Sequence, residues 1–464
     1  MTELLPEALV YWLQDWLPLL MAGSLAVLLF TGYPVALVLS LVGLAFAGIG
    51  MSLDLISVLE ITNITARMYG SVGENLLYPS VPMLIFMGLM MERSGVARDL
   101  LVCLQVLLRR VPGSLAIAVA FLGIILAPSA GLIGASVATI ALIALPTMLD
   151  RGYDPAFASG AVAGAGTLGI IFPPAIMLFF LADLLGVRMG TMFLAPVIPV
   201  GIILALYIVY FLARGVFTPR SAPAHDAPPM PWPTLVAYSA RSLALPVALI
   251  VLVLGSIVAG IATPTQSSAV GAAGSVLLTI ANRSLSRTML REVLERTVSV
   301  TAMVFFVVIG ASVFSYTFRS IGGDTLIVDL LEATGLGTWW MLSMVLAVIF
   351  LLGFIIDWIE IALITLPIFY PILESLDFGD RFASSEQTFA WIAVMIAINL
   401  QTSFLTPPFG FALFFLKGAA PPEVDMATIY RGIVPFVLIQ VAVLGLVMAF
   451  PALALWLPGA VFAD

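Results

Sequence analysis

Apolar runs long enough to cross a lipid bilayer begin near Leu17 and recur to Leu457. The hydrocarbon core takes roughly 20 apolar residues per helical pass. Without water there, every backbone N–H and C=O must be paired internally, which restricts spanning segments to helices or closed barrels. Spans are predicted at about 17–31, 34–51, 77–92, 113–127, 132–149, 156–185, 190–213, 242–262, 265–281, 298–318, 338–356, 359–374, 388–418 and 430–457. Composition agrees. Only 18 basic and 26 acidic residues occur in 464, against 62% hydrophobic residues and a mean hydropathy of +1.17. A soluble domain is about a quarter charged. So few charges could not cover this apolar surface in water, which excludes a soluble enzyme, a disordered tail and a nucleic-acid binder. The prediction is an all-α polytopic protein embedded in the bilayer. Its first residues carry two early acids and no basic region, unlike a cleaved signal peptide. They read as an interfacial segment holding Tyr11, Trp12 and Trp16 at headgroup level.

The single cysteine, Cys103, permits no internal disulfide, and the single histidine, His225, no histidine metal centre. A membrane-embedded enzyme would need a nucleophile–base pair, metal ligands or quinone-site charges, and the chain is poor in all three. No enzymatic activity and no redox or organic cofactor is expected.

The halves resemble each other. RSGVARDLL at 93–101 is echoed by RSIGGDTLI at 319–327, and IALIALP at 140–146 by IALITLP at 361–367. Pro173-Pro174, followed by Phe179-Phe180-Leu181, is echoed by Pro407-Pro408, followed by Phe414-Phe415-Leu416; from 173 to 407 the offset is 234. Matches in one order at similar offsets indicate an internal repeat. Segment 92–113 carries Arg93, Arg98, Arg109 and Arg110, whereas 320–337 carries Asp324, Asp329 and Glu332 and no basic residue. The positive-inside rule places the first on the cytoplasmic face and permits the second outside. Copies on opposite faces make an inverted repeat, a transporter architecture. Both segments are too polar to span and read as interfacial arms. The short pair 113–127 and 132–149 reads as a re-entrant hairpin, and 338–356 with 359–374 as a second, its turn holding Gly353, Asp357 and Glu360. The division is then N-terminal scaffold helices with a polar connection (1–76), first inverted repeat (77–213), a Pro/Ala-rich cytoplasmic linker (214–241), central scaffold helices (242–297) and second inverted repeat (298–464).

Two long apolar segments are interrupted midway, GAVAGAGTLGIIFPPAIMLFFL at 160–181 and IAINLQTSFLTPPFGFALFFL at 396–416. Proline lacks the amide donor and frees a carbonyl one turn earlier. Unwound backbone at membrane depth is tolerated only where it is buried in protein or lines a cavity. Half-helix C-termini offer carbonyls to Na⁺, and half-helix N-termini favour a carboxylate. The bland alternative is a pair of proline-kinked helices with no ligand; matching positions in the two halves favour the site. The 234 offset carries Gly169 to Ser403, Phe172 to Thr406 and Pro174 to Pro408. These six positions are candidates for two quasi-equivalent cation sites. Thr167, Asn399, Gln401 and Thr402 add polar groups beside them. Asp357 is either a site residue or a helix cap. Asp183 and Lys417 end the broken segments and read as interfacial. Arg67 and Glu74 fall in a polar connection that reads as a solvated loop.

Five stretches together resemble the large membrane subunit of tripartite ATP-independent periplasmic (TRAP) transporters. They are PMLIFMGLMMERSG (82–95), RGYDPAFA (151–158), TLGIIFPP (167–174), TPTQ (263–266) and LTPPFG (405–410). The resemblance covers about 80 to 460. It implies an elevator-type, Na⁺-driven secondary transporter in the bacterial inner membrane. It also implies a separate small four-helix membrane subunit and a periplasmic binding protein that delivers an organic acid, whether a C4-dicarboxylate, a sugar acid or a 2-oxo or hydroxy acid. A free-standing Na⁺/carboxylate carrier is the alternative. By the same resemblance the first hairpin tip contributes as well. Ser129 and Gly134 are expected near the cation, and Ser136, Thr167, Asp357, Asn399, Gln401 and Thr402 near the substrate. The chain departs from the family's usual residues at Thr139, Ile170 and Gln266.

Overall fold

A computed structural model describes residues 7–126, 133–223, 231–333, 335–408 and 410–462. Among these, 80% are helical and none forms a strand. The helices are α1 Glu7–Leu29, α2 Val35–Ser52, α3 Val58–Val72, α4 Ser80–Arg93, α5 Val96–Leu107, α6 Ser114–Ile125, α7 Ile133–Asp150 and α8 Pro155–Ile171. There follow α9 Ile176–Leu185, α10 Met189–Leu194, α11 Val197–Phe217, α12 Trp232–Ser239, α13 Leu245–Val258, α14 Pro264–Ala281 and α15 Arg287–Ser320. The last are α16 Gly323–Ala333, α17 Thr338–Leu352, α18 Trp358–Ser375, α19 Ser385–Leu405, α20 Phe411–Ala419, α21 Met426–Ala449 and α22 Ala452–Val461. Among the described residues seven helices are long and apolar enough to span a membrane, eight if the bent pair α8/α9 is one span.

Internal packing divides the chain into two compact units. One holds Met1–Tyr78, Ser299–Val348 and Trp358–Arg381; the other holds Pro79–Val298, Ile349–Asp357 and Phe382–Asp464. In the first, small residues bring α2 and α15 together. A Cβ on Gly43 would lie 2.9 Å from Val313 Cγ1, and one on Gly310 would lie 2.6 Å from the Ala36 carbonyl. Membrane helices associate through such small-residue contacts, because lipid offers no hydrophobic drive between them. Tyr78 stacks on Phe305 with ring centroids 5.8 Å apart.

The second unit is organised around α8. Asp154 caps its start by accepting from Phe157 N at 2.9 Å, and Pro155 stands in the first turn. Its sequence, PAFASGAVAGAGTLGII, is nearly all small, and every residue from Phe157 to Ile171 is buried. Gly160 and Gly164 form a G-x-x-x-G pair against α21: a Cβ on Gly160 would run into the Gly432 carbonyl, and one on Gly164 would meet Phe436 Cδ1 at 2.5 Å. Gly432 in turn faces the Ala156 carbonyl. On another side, α6 presents Gly123 to the Ala165 carbonyl, and Gly166 faces Val137 of α7. Three helices thus touch the backbone of α8, and only glycine permits that approach.

The predicted elements recur with four differences. The first helix starts at Glu7, so Tyr11, Trp12 and Trp16 are exposed residues of α1, not of a separate interfacial segment. The polar connection contains a helix, α3, begun by a capping box in which Ser57 and Glu60 bond each other's backbone amides. The last predicted span is two helices, α21 and α22, parted at Phe450-Pro451. The linker carries helix on both sides of 224–230, in α11 and α12; those residues, His225 included, lie outside the described ones.

Candidate transport site

The two interrupted segments end in the same way. Helix α8 stops at Ile171 and Phe172 turns extended, at φ −90° and ψ 125°. Helix α19 stops at Leu405 and Thr406 turns extended, at φ −89° and ψ 125°. Both Pro173-Pro174 and Pro407-Pro408 are cis. The chain then re-enters helix as α9 and α20, and α9 is bent 44° from α8. The carbonyls robbed of partners follow from the ladder. The amides that would reach Gly169 and Ile170 belong to Pro173 and Pro174, which have none. Those that would reach Ser403 and Phe404 belong to Pro407 and Pro408. Ser403 recovers one donor, Thr406 N at 3.1 Å.

Two hydrogen bonds join side chains from the two halves of the sequence. Gln401 Nε2 donates to Thr167 Oγ1 at 3.3 Å across 234 positions. Gln440 Nε2 donates to Tyr207 Oη at 2.8 Å across 233 positions. All four side chains are buried. The first of these contacts joins α8 to α19.

The other candidates lie on α7, in and after α19, and just before α18. Asn399, Gln401, Thr402 and Ser403 are buried in α19. Thr402 Oγ1 donates to Ile398 O at 2.7 Å, Ser403 Oγ to Leu400 O at 2.8 Å and Thr406 Oγ1 to Thr402 O at 2.8 Å. Each hydroxyl keeps lone pairs for a further partner. Gln401 Oε1 is buried without a hydrogen-bond partner, as is Ser136 Oγ on α7. Pro174 is buried, whereas Pro408 is exposed and its carbonyl accepts from Tyr430 Oη at 2.5 Å. Gly134, in the first turn of α7, lies against the Phe415 ring of α20, which a Cβ would meet at 2.5 Å. Asp357 directly precedes α18, in the position of a helix cap, and is half-buried. Ser129 lies outside the described residues.

Two contacts escaped sequence reading. One is Tyr430 on the Pro408 carbonyl. The other is the tip of the second hairpin, where Gly353 sits so close to Ser403 that a Cβ would lie 2.7 Å from Ser403 Cβ and closer still to its hydroxyl. Gly353 was legible as a turn residue; its neighbour was not. Among the described residues no three His, Cys, Asp or Glu side chains gather at one place. The oxygens at the breaks are carbonyls, hydroxyls and an amide, a set suited to a hard monovalent cation.

Comparison with known proteins gives these features a context. Residues 22–453 match the family described as the tripartite ATP-independent periplasmic transporter, DctM component. The chain is 29% identical over 385 residues to the C4-dicarboxylate TRAP transporter large permease protein DctM of Pseudomonas aeruginosa, covering 82% of this chain and 85% of that one. It is 25% identical over 437 residues to the sialic acid TRAP transporter large permease protein SiaM of Vibrio cholerae, covering 93% and 96%. Among solved structures it resembles the YdaH transporter of Alcanivorax borkumensis, with a TM-score of 0.57 and 14% identity over 84% of this chain and 88% of that one. That likeness concerns the fold alone. With a family match across almost its whole length, this multi-pass membrane chain belongs to the DctM family, the large permease component of tripartite ATP-independent periplasmic transporters, and is not an enzyme.

Proposed function

We propose that this permease couples inward Na⁺ flow to uptake of an organic acid, and that it works by an elevator movement of its broken helices and hairpins. The observation carrying the reading is the pair of breaks at Phe172 and Thr406, with matching backbone angles at an offset of 234. Each leaves carbonyls pointing past a helix end where a cation gains from the negative end of the dipole. Na⁺ is cargo here. Gly169, Phe172 and Pro174 would hold one ion, and Ser403, Thr406 and Pro408 another. The tip near Ser129 and Gly134 would complete the first. The candidate substrate groups are Ser136, Thr167, Asp357, Asn399, Gln401 and Thr402. Gln401 Oε1 and Ser136 Oγ are the buried acceptors with spare capacity. A carboxylate needs donors, which the Gln401 and Asn399 amides and the Ser136 hydroxyl supply, and the Thr402 hydroxyl could join them only by releasing the Ile398 carbonyl.

The named relatives carry a C4-dicarboxylate and sialic acid, both acids, and this supports the substrate class. Membership in the family supports two partners, a small four-helix membrane subunit and a periplasmic binding protein.

The test is uptake into proteoliposomes holding this chain and its small subunit. A binding protein loaded with labelled acid is added outside, with and without an inward Na⁺ gradient. Uptake that needs both is expected. Uptake with Na⁺ but no binding protein would replace the reading by a free-standing carrier. Uptake indifferent to Na⁺ would overturn the coupling.

A further inference from the structure

A second polar region belongs to the first unit, which does not contain the breaks. In the first unit, α3, α15 and α18 line an open cavity of about 770 Å³. Its walls include Asn63, Arg67, Glu74, Ser315, Tyr316 and Arg319. From α3 and the turn after it come Asn63, Arg67, Gly70, Ser71 and Glu74, spaced by three or four residues and therefore on one helical face. Elsewhere on α3 the apolar Val58 is 69%, Leu59 73% and Tyr69 65% exposed, Ile64 is buried, and Asn63, Arg67 and Glu74 are themselves exposed. Exposed apolar residues of α3 thus stand beside a polar chamber that is itself open to the surroundings. In a bilayer protein such exposed apolar side chains meet acyl chains, and the open polar chamber beside them suits headgroup level.

The chamber has the chemistry of an anion site. Arg67 lies over the Tyr316 ring with its guanidinium carbon 5.7 Å from the centroid. No carboxylate lies within ion-pair distance of Arg67 among the described residues. Arg319 is held by one donation to the Pro367 carbonyl at 3.2 Å and a loose approach to Asp324 at 3.7 Å. Ser315 Oγ is buried with no hydrogen-bond partner. Two planar guanidiniums that can fork onto oxygens, with hydroxyl and amide donors between, match a phosphate group. Charge narrows the class. Two arginines and Glu74 leave the lining with one net positive charge, which Asp324 beside Arg319 partly offsets. A phosphodiester carries one negative charge, whereas a phosphomonoester approaches two.

We propose that this cavity binds a phosphate diester through Arg67 and Arg319, and that the headgroup of a phospholipid supplies it. The site is independent of the breaks and of Na⁺ coupling.

The test uses the full chain, purified and stripped of lipid in detergent. Binding of dihexanoyl phosphatidylglycerol is measured by titration, beside dihexanoyl glycerol (the same chains without phosphate) and inorganic phosphate. Saturable binding of the phospholipid and none of the diacylglycerol is expected. Arg67→Gln and Arg319→Gln should each weaken it about tenfold, the loss of one charge-assisted contact. Arg67→Lys should lose less, since it keeps the charge and only the fork is gone. Elution as a monodisperse species certifies each variant. Equal binding of diacylglycerol, or unchanged affinity in both glutamine variants, would overturn the proposal. Inorganic phosphate competing as strongly as the lipid would keep the arginine site but overturn the lipid source. The wild-type arms decide the matter even if a variant does not fold.

Discussion

The closest approach at the candidate site can be broken with one methyl group. A Cβ at Gly353 would lie 2.7 Å from Ser403 Cβ, nearer still to its Oγ, and 3.4 Å from the Phe350 carbonyl. Ordinary carbon contacts are about 3.5–4.0 Å. Gly353→Ala therefore forces the hairpin tip away from α19 or turns the Ser403 hydroxyl from Leu400 O, its acceptor at 2.8 Å. Overpacking of this kind costs about 1–3 kcal/mol. Thermal melting in detergent should fall by on the order of a few degrees, and Na⁺-dependent uptake should fall with it, since Ser403 is a candidate ion ligand. The structure also fixes the order of rescue. Ser403→Ala on this background removes the nearest atom but leaves the 2.7 Å contact, so recovery of stability is partial. Ser403→Gly removes both contacts and leaves the 3.4 Å one, so packing recovers against about 1 kcal/mol for glycine inside a helix. Neither double variant should regain full uptake, because the hydroxyl is gone. The control is Gly48→Ala in α2, where a Cβ meets nothing within 4 Å. It should melt no lower than wild type. A Gly353→Ala protein with wild-type melting and uptake, or no rescue by either Ser403 change, would refute the reasoning.

Thr167→Val leaves the Gln401 amide without its acceptor and should cost about 1–3 kcal/mol; thermal melts of a double-mutant cycle with Gln401→Leu should show strong non-additivity. Gly432→Ala drives a methyl into the Ala156 carbonyl of α8, which cannot swing aside, and size-exclusion chromatography should find little monodisperse protein. Asp425 caps α21, and the Thr428 hydroxyl and backbone N–H hold its carboxyl below the ordinary range. It thus stabilises the fold above the ordinary carboxylate pKa of about 3.9, and that contribution disappears as pH falls through its lower folded value. Melting curves of Asp425→Asn across acid pH should lose that part of the decline, and an unchanged curve would deny the cap its role.

The features legible in sequence act locally. Proline breaks a helix wherever it stands, so both interruptions and the offset between them could be read from Pro173-Pro174 and Pro407-Pro408. Span positions followed from hydropathy. The rest depends on neighbours. Helix α3 reads as a loop in sequence because its residues are polar; those residues line an open chamber on a helix whose local signal is the Ser57–Glu60 capping box. The split at Phe450-Pro451 hid inside an apolar run. That Gly353 meets Ser403, or that Tyr430 takes the Pro408 carbonyl, is long-range and leaves no local mark. The Thr167–Gln401 contact lies between: its offset was visible, but not that mates would touch.

The two copies share a backbone and differ in what hangs from it. At the 234 offset, Ala165 corresponds to Asn399, Thr167 to Gln401, Leu168 to Thr402, Gly169 to Ser403 and Phe172 to Thr406. The first copy is small or apolar at all but one of these, and the second is polar at all five. The packing of α8 gives a reason. With α6, α7 and α21 touching its backbone, Gly160, Gly164 and Gly166 have no room for a Cβ, and a polar side chain pressed into such a wall would lose its partners at a cost of about 1–3 kcal/mol. Helix α19 meets α8 through longer side chains and can hold an amide and hydroxyls in hydrogen-bonded order. A repeat that keeps one half as a close-packed spine can thus place most of its polar recognition in the other. Exchanging polar groups between the halves should then fail: Gly169→Ser should disturb packing more than Ser403→Gly does, by melting in detergent, and the reverse order would show that the halves are equivalent.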